Sequence, residues 1–442
     1  TAADDDRATL DGIPEVAVIS AGQARLQTLA GRTFFGPVTL KFFNTDNPGS
    51  GGPPTAADFD GDGRAEFAVA GRGGYNVFDP DCDADPDPAT CATGTTDGIL
   101  WASPTQDFSS SVTGSSVFDF EGDGRAEAVY GDECFSRVYD GKNGDVLYSQ
   151  FRTSCTWYEN PIVADVDGDF RSEIVIPSNS NCDVVCPEID PLFPGLRCET
   201  DAECPLATTC KKEDAGDDFG LCRCTATADC GGNGYVCVDP IAGPSPAGQV
   251  CRASHPAEEQ RGVRVIRDAL DRWVSSRPIW NQHAYAVTNV TDSGQIPTTG
   301  SWAANWITEG LNNFRQNVVG DLGADVSPDA TANGNDFACD SDGLKLEARV
   351  CNRGTEPLAA GVPVTFYEGD PAGDPICTAL TAGTLNPGSC EVVSCSFAPA
   401  PAEPVDVTVV ADDDGTGRGE SSECHEGNNR SVIKGVGCGS PE

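Results

Sequence analysis

Acidic residues recur at a fixed spacing in three segments of this 442-residue chain. Residues 57–71 read ADFDGDGRAEFAVAG, 118–132 read FDFEGDGRAEAVYGD, and 164–178 read ADVDGDFRSEIVIPS. Each segment carries carboxylates at relative positions 1, 3, 5 and 9 of a loop. Hard oxygen donors at alternate positions suit calcium. The predicted ligands are Asp58, Asp60, Asp62 and Glu66; Asp119, Glu121, Asp123 and Glu127; and Asp165, Asp167, Asp169 and Glu173.

Position 7 of each loop is an arginine, and its backbone carbonyl is the expected fifth ligand. These residues are Arg64, Arg125 and Arg171. We expect the Arg64 side chain to point toward solvent and waters to complete the six to eight ligands that calcium prefers. Gly63 allows a tight turn at position 6, whereas Phe170 replaces that glycine in the third loop. The sequence therefore predicts about three Ca²⁺ sites.

Two alternatives to this interpretation are an EF-hand and a simple turn. An EF-hand needs a carboxylate at position 12, where these loops have Val69, Tyr130 and Ile176 within apolar runs. Asp and Gly are good turn formers without any metal. Three copies with carboxylates in the same four places favour metal binding. Because four clustered carboxylates repel one another, we expect the metal to be integral to folding.

Short alternating segments flank the loops, as expected for strands that hold them in place. Examples are YNVFD after the first loop and SRVYDGKNGDVLYS after the second. A degraded copy, LDGIPEVAVIS at 10–20, keeps only Asp11 and Glu15 of the acidic pattern. Repeats of this length are typical of propeller blades, so the sequence predicts an all-β chain.

The three repeats resemble the FG-GAP (VCBS-type) repeats of integrin alpha chains and bacterial surface proteins, over about residues 1–180 and 261–320. The resemblance implies a calcium-binding β-propeller. The segment ADDDGTGRGESSECHEGNNRSV near the C-terminus is similar to CARDB-type adhesion modules, which implies an immunoglobulin-like β-sandwich. The predicted domains are propeller blades at 1–181, a disulfide-rich insert at 182–251, the rest of the propeller at 252–322, and the sandwich at 337–442.

The 21 cysteines concentrate where apolar residues are scarce, with ten of them between 182 and 251. Disulfides formed in an oxidising compartment explain this distribution best. We expect two local disulfides, Cys82 with Cys91 and Cys134 with Cys155. Because the count is odd, one cysteine remains without a partner inside its domain, and Cys438 is the candidate. It is expected to be either free or in a disulfide between domains or subunits. Zinc is an alternative ligand for the spacing of Cys222, Cys224 and Cys230.

The net charge of −41 excludes nucleic acid and anionic lipid as expected partners, since both carry negative charge. It favours cation binding or a salty habitat. No segment approaches the roughly 18 apolar residues of a membrane span. With the disulfides, these features predict an extracellular or cell-surface location.

The function that fits best is a non-enzymatic structural or adhesion protein, a subunit of an extracellular assembly or fibre. Its expected partners are a protein or glycan at the cell surface, or a second copy of the chain. Two alternatives are a calcium-dependent receptor-like module and an accessory domain of a polysaccharide-active enzyme. Against the enzyme, the three histidines lie far apart and the clustered carboxylates are already assigned to metal loops.

Overall fold

The computed structural model describes residues 12–438 of the chain with several internal gaps. Its described strands are antiparallel and form seven sheets, so the protein is all-β. The chain forms two compact units, one of residues 1–199, 207–267 and 273–320 and one of residues 200–206, 268–272 and 321–442. The residues between 12 and 438 that are not described are 83–90, 92, 167–170, 180–184, 214–215, 218, 257, 269–271, 292–293, 309, 320–327, 341–342, 353–356, 372–374, 387–388, 402 and 417–428.

The first unit contains four antiparallel sheets that follow one another along the chain. Strands that lie side by side in three of them are also consecutive in sequence, while the last strand of the fourth sheet arrives after a long insertion. The first sheet is β1 (Val16–Ser20), β2 (Gln23–Gln27) and β3 (Thr33–Thr39); the second is β4 (Thr55–Ala57), β5 (Glu66–Gly71), β6 (Gly74–Phe78) and β7 (Ile99–Pro104); the third is β8 (Ser116–Phe118), β9 (Glu127–Gly131), β10 (Phe135–Tyr139) and β11 (Val146–Phe151); the fourth is β12 (Ile162–Ala164), β13 (Glu173–Ser178) and β19 (Gly262–Ile266).

The four sheets stack face to face, because each neighbouring pair shares an apolar core. Phe35 of the first sheet packs with Phe67 of the second. Tyr75 of the second packs with Tyr139 of the third, and Val129 of the third belongs to one core with Ile174 of the fourth. The middle strands of the second and third sheets are buried along their whole length. This burial includes polar side chains such as Asn76 in β6 and Arg137 in β10, so these strands have no solvent-facing side.

A cysteine-rich sheet is inserted between β13 and β19. Few large apolar side chains are available there, and disulfides fix the short strands to one another. Disulfides in this segment join Cys198 with Cys210, Cys224 with Cys237, and Cys230 with Cys251. The strands are β14 (Arg197–Cys198), β15 (Thr209–Lys211), β16 (Gly220–Cys224), β17 (Tyr235–Val238) and β18 (Gln249–Ala253).

Several cysteine predictions are corrected by these pairs. The pairing of Cys82 with Cys91 is confirmed, whereas Cys134 bonds Cys186 and not Cys155, which brings the third sheet and the start of the insert together. The zinc alternative is wrong, because Cys224 and Cys230 are bonded to other cysteines and Cys222 is also in a disulfide.

The segment 313–317 crosses the first strands of three sheets. The amide of Phe314 donates to the oxygen of Ala56 in β4 at 2.8 Å, and the amide of Val117 in β8 donates to the oxygen of Arg315 at 3.1 Å. The Asn317 side chain donates to the oxygen of Val163 in β12 at 3.0 Å. This segment therefore connects the first strands of the second, third and fourth sheets.

The second unit is a sandwich of two open sheets around one core, to which Leu346, Phe366 and Val409 contribute. Its first strand begins at Ala330, before the predicted boundary at 337. Cys438 is not free, because it bonds Cys339; further disulfides join Cys351 with Cys390 and Cys377 with Cys395. One sheet is β20 (Ala330–Asp340), β21 (Gly343–Asn352) and β24 (Cys390–Phe397); the other is β23 (Pro375–Leu380), β22 (Pro363–Glu368), β25 (Val405–Ala411) and β26 (Arg430–Val436).

Helix in the described residues is limited to single turns of 3-10 type. In that part of the chain each sheet is open, so closure into a propeller stays a prediction. The 3-10 turns are Asp201–Glu203, Thr227–Cys230, Val287–Asn289, Thr299–Ser301 and Asn305–Ile307.

Candidate metal centre

Each acidic loop connects the first strand of a sheet to the second. We call residues 58–66 the first loop, 119–127 the second loop and 165–173 the third loop. They follow β4, β8 and β12, and the last glutamate of each loop is also the first residue of the next strand. The short strands on either side therefore fix both ends of every loop.

Hydrogen bonds to its own carboxylates shape the first loop. Asp58 accepts the amide of Gly61 on Oδ1 at 2.7 Å and the amide of Gly63 on Oδ2 at 2.8 Å. Both glycines have positive φ, 83° and 87°, which other residues rarely adopt. The resulting turn brings carboxylate oxygens of Asp58, Asp60 and Asp62 within 4.8 Å of one another.

The second loop repeats this turn but gathers a different set of acids. Gly122 and Gly124 donate to the two oxygens of Asp119 at 2.6 and 2.8 Å. Oxygens of Asp119, Glu121 and Glu127 lie within 4.8 Å of one another. Asp123, predicted at position 5, instead forms an ion pair with the guanidinium of Arg125.

The third loop is described only at its ends, because Asp167 and Asp169 lie outside the described residues. Asp165 and Glu173 are both buried. Arg171 is buried as well, and its guanidinium donates to the oxygen of Trp273 at 3.4 Å. The Arg64 side chain is partly exposed and forms an ion pair with Asp81 at 2.9 Å.

One hydrogen bond is common to all three loops. The residue after the first aspartate donates its amide to Oε2 of the last glutamate: Phe59 to Glu66 at 2.7 Å, Phe120 to Glu127 at 3.0 Å, and Val166 to Glu173 at 2.9 Å. Each bond closes its loop across the two strands. The three loops thus share one backbone arrangement at their ends, as the repeat in the sequence predicts.

Burial and mutual repulsion raise the pKa values of several carboxylates in the first two loops. Burial, then the charge of Asp60, raises the pKa of Glu66 well above its usual range. Burial raises the pKa of Asp62 to about 6, with Asp60 and Asp58 adding to the effect. In the second loop burial, then the charge of Glu121, raises the pKa of Glu127.

Burial and the neighbouring carboxylates thus disfavour the ionised forms, which a bound cation would favour. Oδ2 of Asp62 is buried and has no hydrogen-bond partner among the described residues. A divalent cation in the first loop would satisfy this oxygen and neutralise the neighbouring carboxylates. The residues present therefore fit a metal ion with oxygen ligands.

Sequence reasoning missed Asp79, which directly follows β6. Asp79 is buried, and burial raises its pKa to about 7, with the charges of Asp60, Asp81 and Asp62 contributing. Its carboxylate therefore interacts electrostatically with those of the first loop. A signal was present, because Asp79 stands 21 residues after Asp58, as Asp140 stands 21 residues after Asp119.

The two histidines in the described part of the chain bond to groups outside these loops. His255 Nε2 is 2.8 Å from the oxygen of Arg152, and His283 Nε2 is 2.8 Å from the side-chain amide of Asn160. Trp280 and Tyr285, near His283 in sequence, stack on each other with ring centroids 4.3 Å apart.

Every cysteine in the described part of the chain is disulfide-bonded. Disulfides at this density are typical of proteins from oxidising, extracellular compartments. Among the described residues, the structure contains no helix of the length and apolar character that a bilayer crossing requires.

The sequence matches no protein-family model and no curated protein. Among solved structures, the V. cholerae biofilm matrix protein Bap1 is similar at 19% identity and a TM-score of 0.34, over 58% of this chain. The chain spans 28% of the length of that Bap1 structure. The CARDB domain of PF1109 from Pyrococcus furiosus is similar at 20% identity and a TM-score of 0.20, over 25% of this chain and 94% of that domain. A crystal structure of the same domain, in complex with di-metal ions, is similar at 17% identity and a TM-score of 0.20, over 26% of this chain and 96% of that domain.

Proposed function

We propose that the acidic loops bind calcium and that the bound ions hold the stacked sheets of the first unit in register. Calcium takes six to eight oxygen ligands, and carboxylates on a tight glycine-containing turn supply several of them. In the first loop Asp58, Asp60 and Asp62 would hold the ion, with the carbonyl of Arg64 and with Glu66. In the second loop Asp119, Glu121 and Glu127 are the gathered acids.

The stacked sheets fit blades of an FG-GAP-type propeller, and the second unit fits an immunoglobulin-like module of CARDB type. Support for blades comes from the connections, since strands adjacent in the second and third sheets are consecutive in sequence, and from cores shared on both faces of those sheets. Support for the sandwich comes from two sheets packed around one apolar core. In both units, rigid β modules present fixed surfaces.

We infer that the whole is a secreted or cell-surface structural or adhesion protein that serves as a subunit of an extracellular assembly. The observation that carries this proposal is the outer face of the fourth sheet. Its other face packs on the third sheet, but Val263 and Val265 on β19 are 67% and 53% exposed. Their cross-strand partners Pro177 and Val175 on β13 are only partly buried, so an apolar sheet face remains open to solvent.

A second copy of the chain is the occupant that fits this face. Inside the chain, one sheet packs on the next three times in succession, and the same packing continued between copies would bury the two valines. A head-to-tail contact of this kind generates a fibre when its rotation does not close into a ring. β19 is also the edge strand of its sheet, and edge strands are templates for pairing with another chain.

The test is the molar mass of the purified chain in calcium, measured by light scattering across a range of concentrations. We expect the wild type to form larger species as concentration rises, and the double variant Val263→Lys/Val265→Lys to stay monomeric. Ile241→Lys is the matched control, because Ile241 is similarly exposed but lies in a turn of the insert. A wild type that is monomeric at every concentration would contradict the assembly proposal.

The protein is proposed to be non-enzymatic. The gathered carboxylates belong to the metal loops, and His255 and His283 bond a backbone carbonyl and a side-chain amide. Incubation with polysaccharides is expected to release no new reducing ends. Release that is lost in a Glu127→Gln variant would assign a catalytic role to the second loop instead.

A further inference from the structure

The loop between β11 and β12 displays two large aromatic side chains to solvent. Trp157 is 57% exposed and Tyr158 is 66% exposed. Their ring centroids are 6.1 Å apart and their planes are inclined by 48°. Exposed aromatic side chains at consecutive positions carry an apolar surface with a polar atom at one end of each ring.

The loop beneath these rings is firmly held. Thr156 is buried and adopts a left-handed conformation with φ 52°. Its hydroxyl donates to Oδ1 of the buried Asp107 at 2.8 Å, and its amide donates to the hydroxyl of Ser154 at 2.8 Å. The buried carboxylate of Asp107 therefore holds in place the residue immediately before Trp157.

The backbone of the aromatic pair is fixed from the other side by Glu159. Its Oε2 accepts the amide of Trp157 at 2.8 Å and that of Tyr158 at 3.1 Å. The two rings are thus presented by a preorganised turn, so that little conformational entropy of this loop would be lost when a ligand binds.

Polar groups stand beside the rings. The His283 ring is exposed, and its centroid is 6.2 Å from that of Tyr158 at an interplanar angle of 81°. The side-chain amide of Asn160 lies 2.8 Å from Nε2 of His283 and holds the imidazole in place. The site thus combines flat apolar faces with an imidazole and a phenol at their border.

We propose that Trp157 and Tyr158 form a binding platform for an uncharged glycan. A sugar ring has an apolar C–H face that stacks on an aromatic ring, and hydroxyls around its rim that hydrogen-bond to groups such as the Tyr158 phenol and the His283 imidazole. A net charge of −41 disfavours a polyanionic glycan. A stable protein interface needs about 800 Å² on each partner, more than two exposed side chains supply.

The site is formed by the loop between β11 and β12 and not by an acidic loop, and its proposal does not depend on assembly. The test is isothermal titration of the calcium-loaded full chain with cellohexaose, chitohexaose and laminarihexaose, and with an alginate oligosaccharide as the polyanionic probe. We expect at least one uncharged probe to bind and alginate not to bind.

Single variants assign the site. Trp157→Ala and Tyr158→Ala are expected to weaken binding about tenfold or more, as removal of one stacking ring does in other stacked complexes. Trp302→Ala is the control, because Trp302 is 49% exposed and lies in a different loop. Unchanged thermal unfolding would show that the variants are folded.

Four outcomes would overturn the proposal. The first three are no binding of any uncharged probe, equal affinity of the Trp157→Ala variant and the wild type, and preferential binding of alginate. Binding that is lost equally in Trp302→Ala would place the glycan elsewhere on the chain and would overturn it too.

Discussion

The amide of Ala126, in the second acidic loop, donates to the backbone oxygen of Asp58, the first residue of the first loop, at 2.8 Å. The two loops also touch through side chains, because the stem of Arg125 lies directly over Gly61. Neighbouring loops are therefore one connected structure. A metal ion that orders one loop is expected to order the other.

The contact between Gly61 and Arg125 can be tested with two glycines that differ only in their surroundings. Gly61 and Gly63 both have positive φ, so alanine strains the backbone at both positions. A Cβ at Gly61 would lie 2.7 Å from Cγ of Arg125, whereas a Cβ at Gly63 would meet nothing within 4 Å. We expect Gly61→Ala to lower the free energy of unfolding by about 1 kcal/mol or more beyond Gly63→Ala.

Chemical unfolding in saturating calcium measures this difference, and Arg125→Ala in the Gly61→Ala background should remove most of it. Equal losses at the two glycines would show that the loops do not press on each other.

Calcium affinity should depend on pH around the raised pKa of Asp62. In the metal-free protein that pKa is about 6, raised by burial and then by Asp60 and Asp58. Protons compete with calcium for the carboxylate, so affinity should fall as pH drops below about 6. Without calcium the sign reverses, because the folded state then binds more protons than the unfolded chain between about pH 4 and 6, and this group makes folding more favourable as pH falls through that window.

Titration calorimetry at several pH values, with and without the substitution Asp62→Asn, checks this prediction. An affinity that stays constant from neutral pH to about pH 5 would contradict it.

Two buried arginines should respond differently to removal. Arg137 bonds Asp190 through Nε and Nη2 and Asp132 through Nη1, at 2.5 to 2.9 Å. Removing it leaves buried carboxylates without a partner, so Arg137→Met should cost about 3–5 kcal/mol. None of the guanidinium nitrogens of Arg152 has a hydrogen-bond partner among the described residues. Arg152→Met should therefore cost clearly less, and denaturant unfolding of the two variants compares them; an equal or larger loss for Arg152→Met would contradict this account.

The disulfide between Cys339 and Cys438 closes a loop of 99 residues, whereas that between Cys82 and Cys91 closes one of 9. In the chain-entropy view the longer loop contributes about 4.7 kcal/mol and the shorter about 2.6 kcal/mol. Replacing Cys339 and Cys438 by serine should therefore destabilise the second unit by more than replacing Cys82 and Cys91 by serine destabilises the first. Thermal unfolding resolved by unit measures this, and the reverse order would count against the entropic explanation.

The repeat in the sequence predicted the loops well because their chemistry is local. Aspartates, glycines and the flanking apolar runs determine a turn within nine residues, and the common bond from Phe59 to Glu66 and its equivalents follows from that turn. The all-β class followed from the same short runs.

Features that depend on distant parts of the chain could not be read from spacing. Cys134 finds Cys186 across 52 residues, and Cys438 finds Cys339 across 99. The ion pair of Asp123 with Arg125 is local, but the repeat alone does not show whether Asp123 faces a metal ion or the arginine. Parity of cysteines, and position in a motif, contain no information about such contacts.

The most direct test of the central claim is equilibrium binding of calcium to the purified chain, combined with thermal unfolding in calcium and in chelator. The account predicts bound calcium, a higher unfolding temperature in calcium, and a stabilisation of about 2.7 kcal/mol when free calcium is 100 times the dissociation constant. The variant Asp58→Asn/Asp60→Asn/Asp62→Asn should lose one site and part of that stabilisation. No bound calcium and the same unfolding temperature in calcium and in chelator would contradict the account.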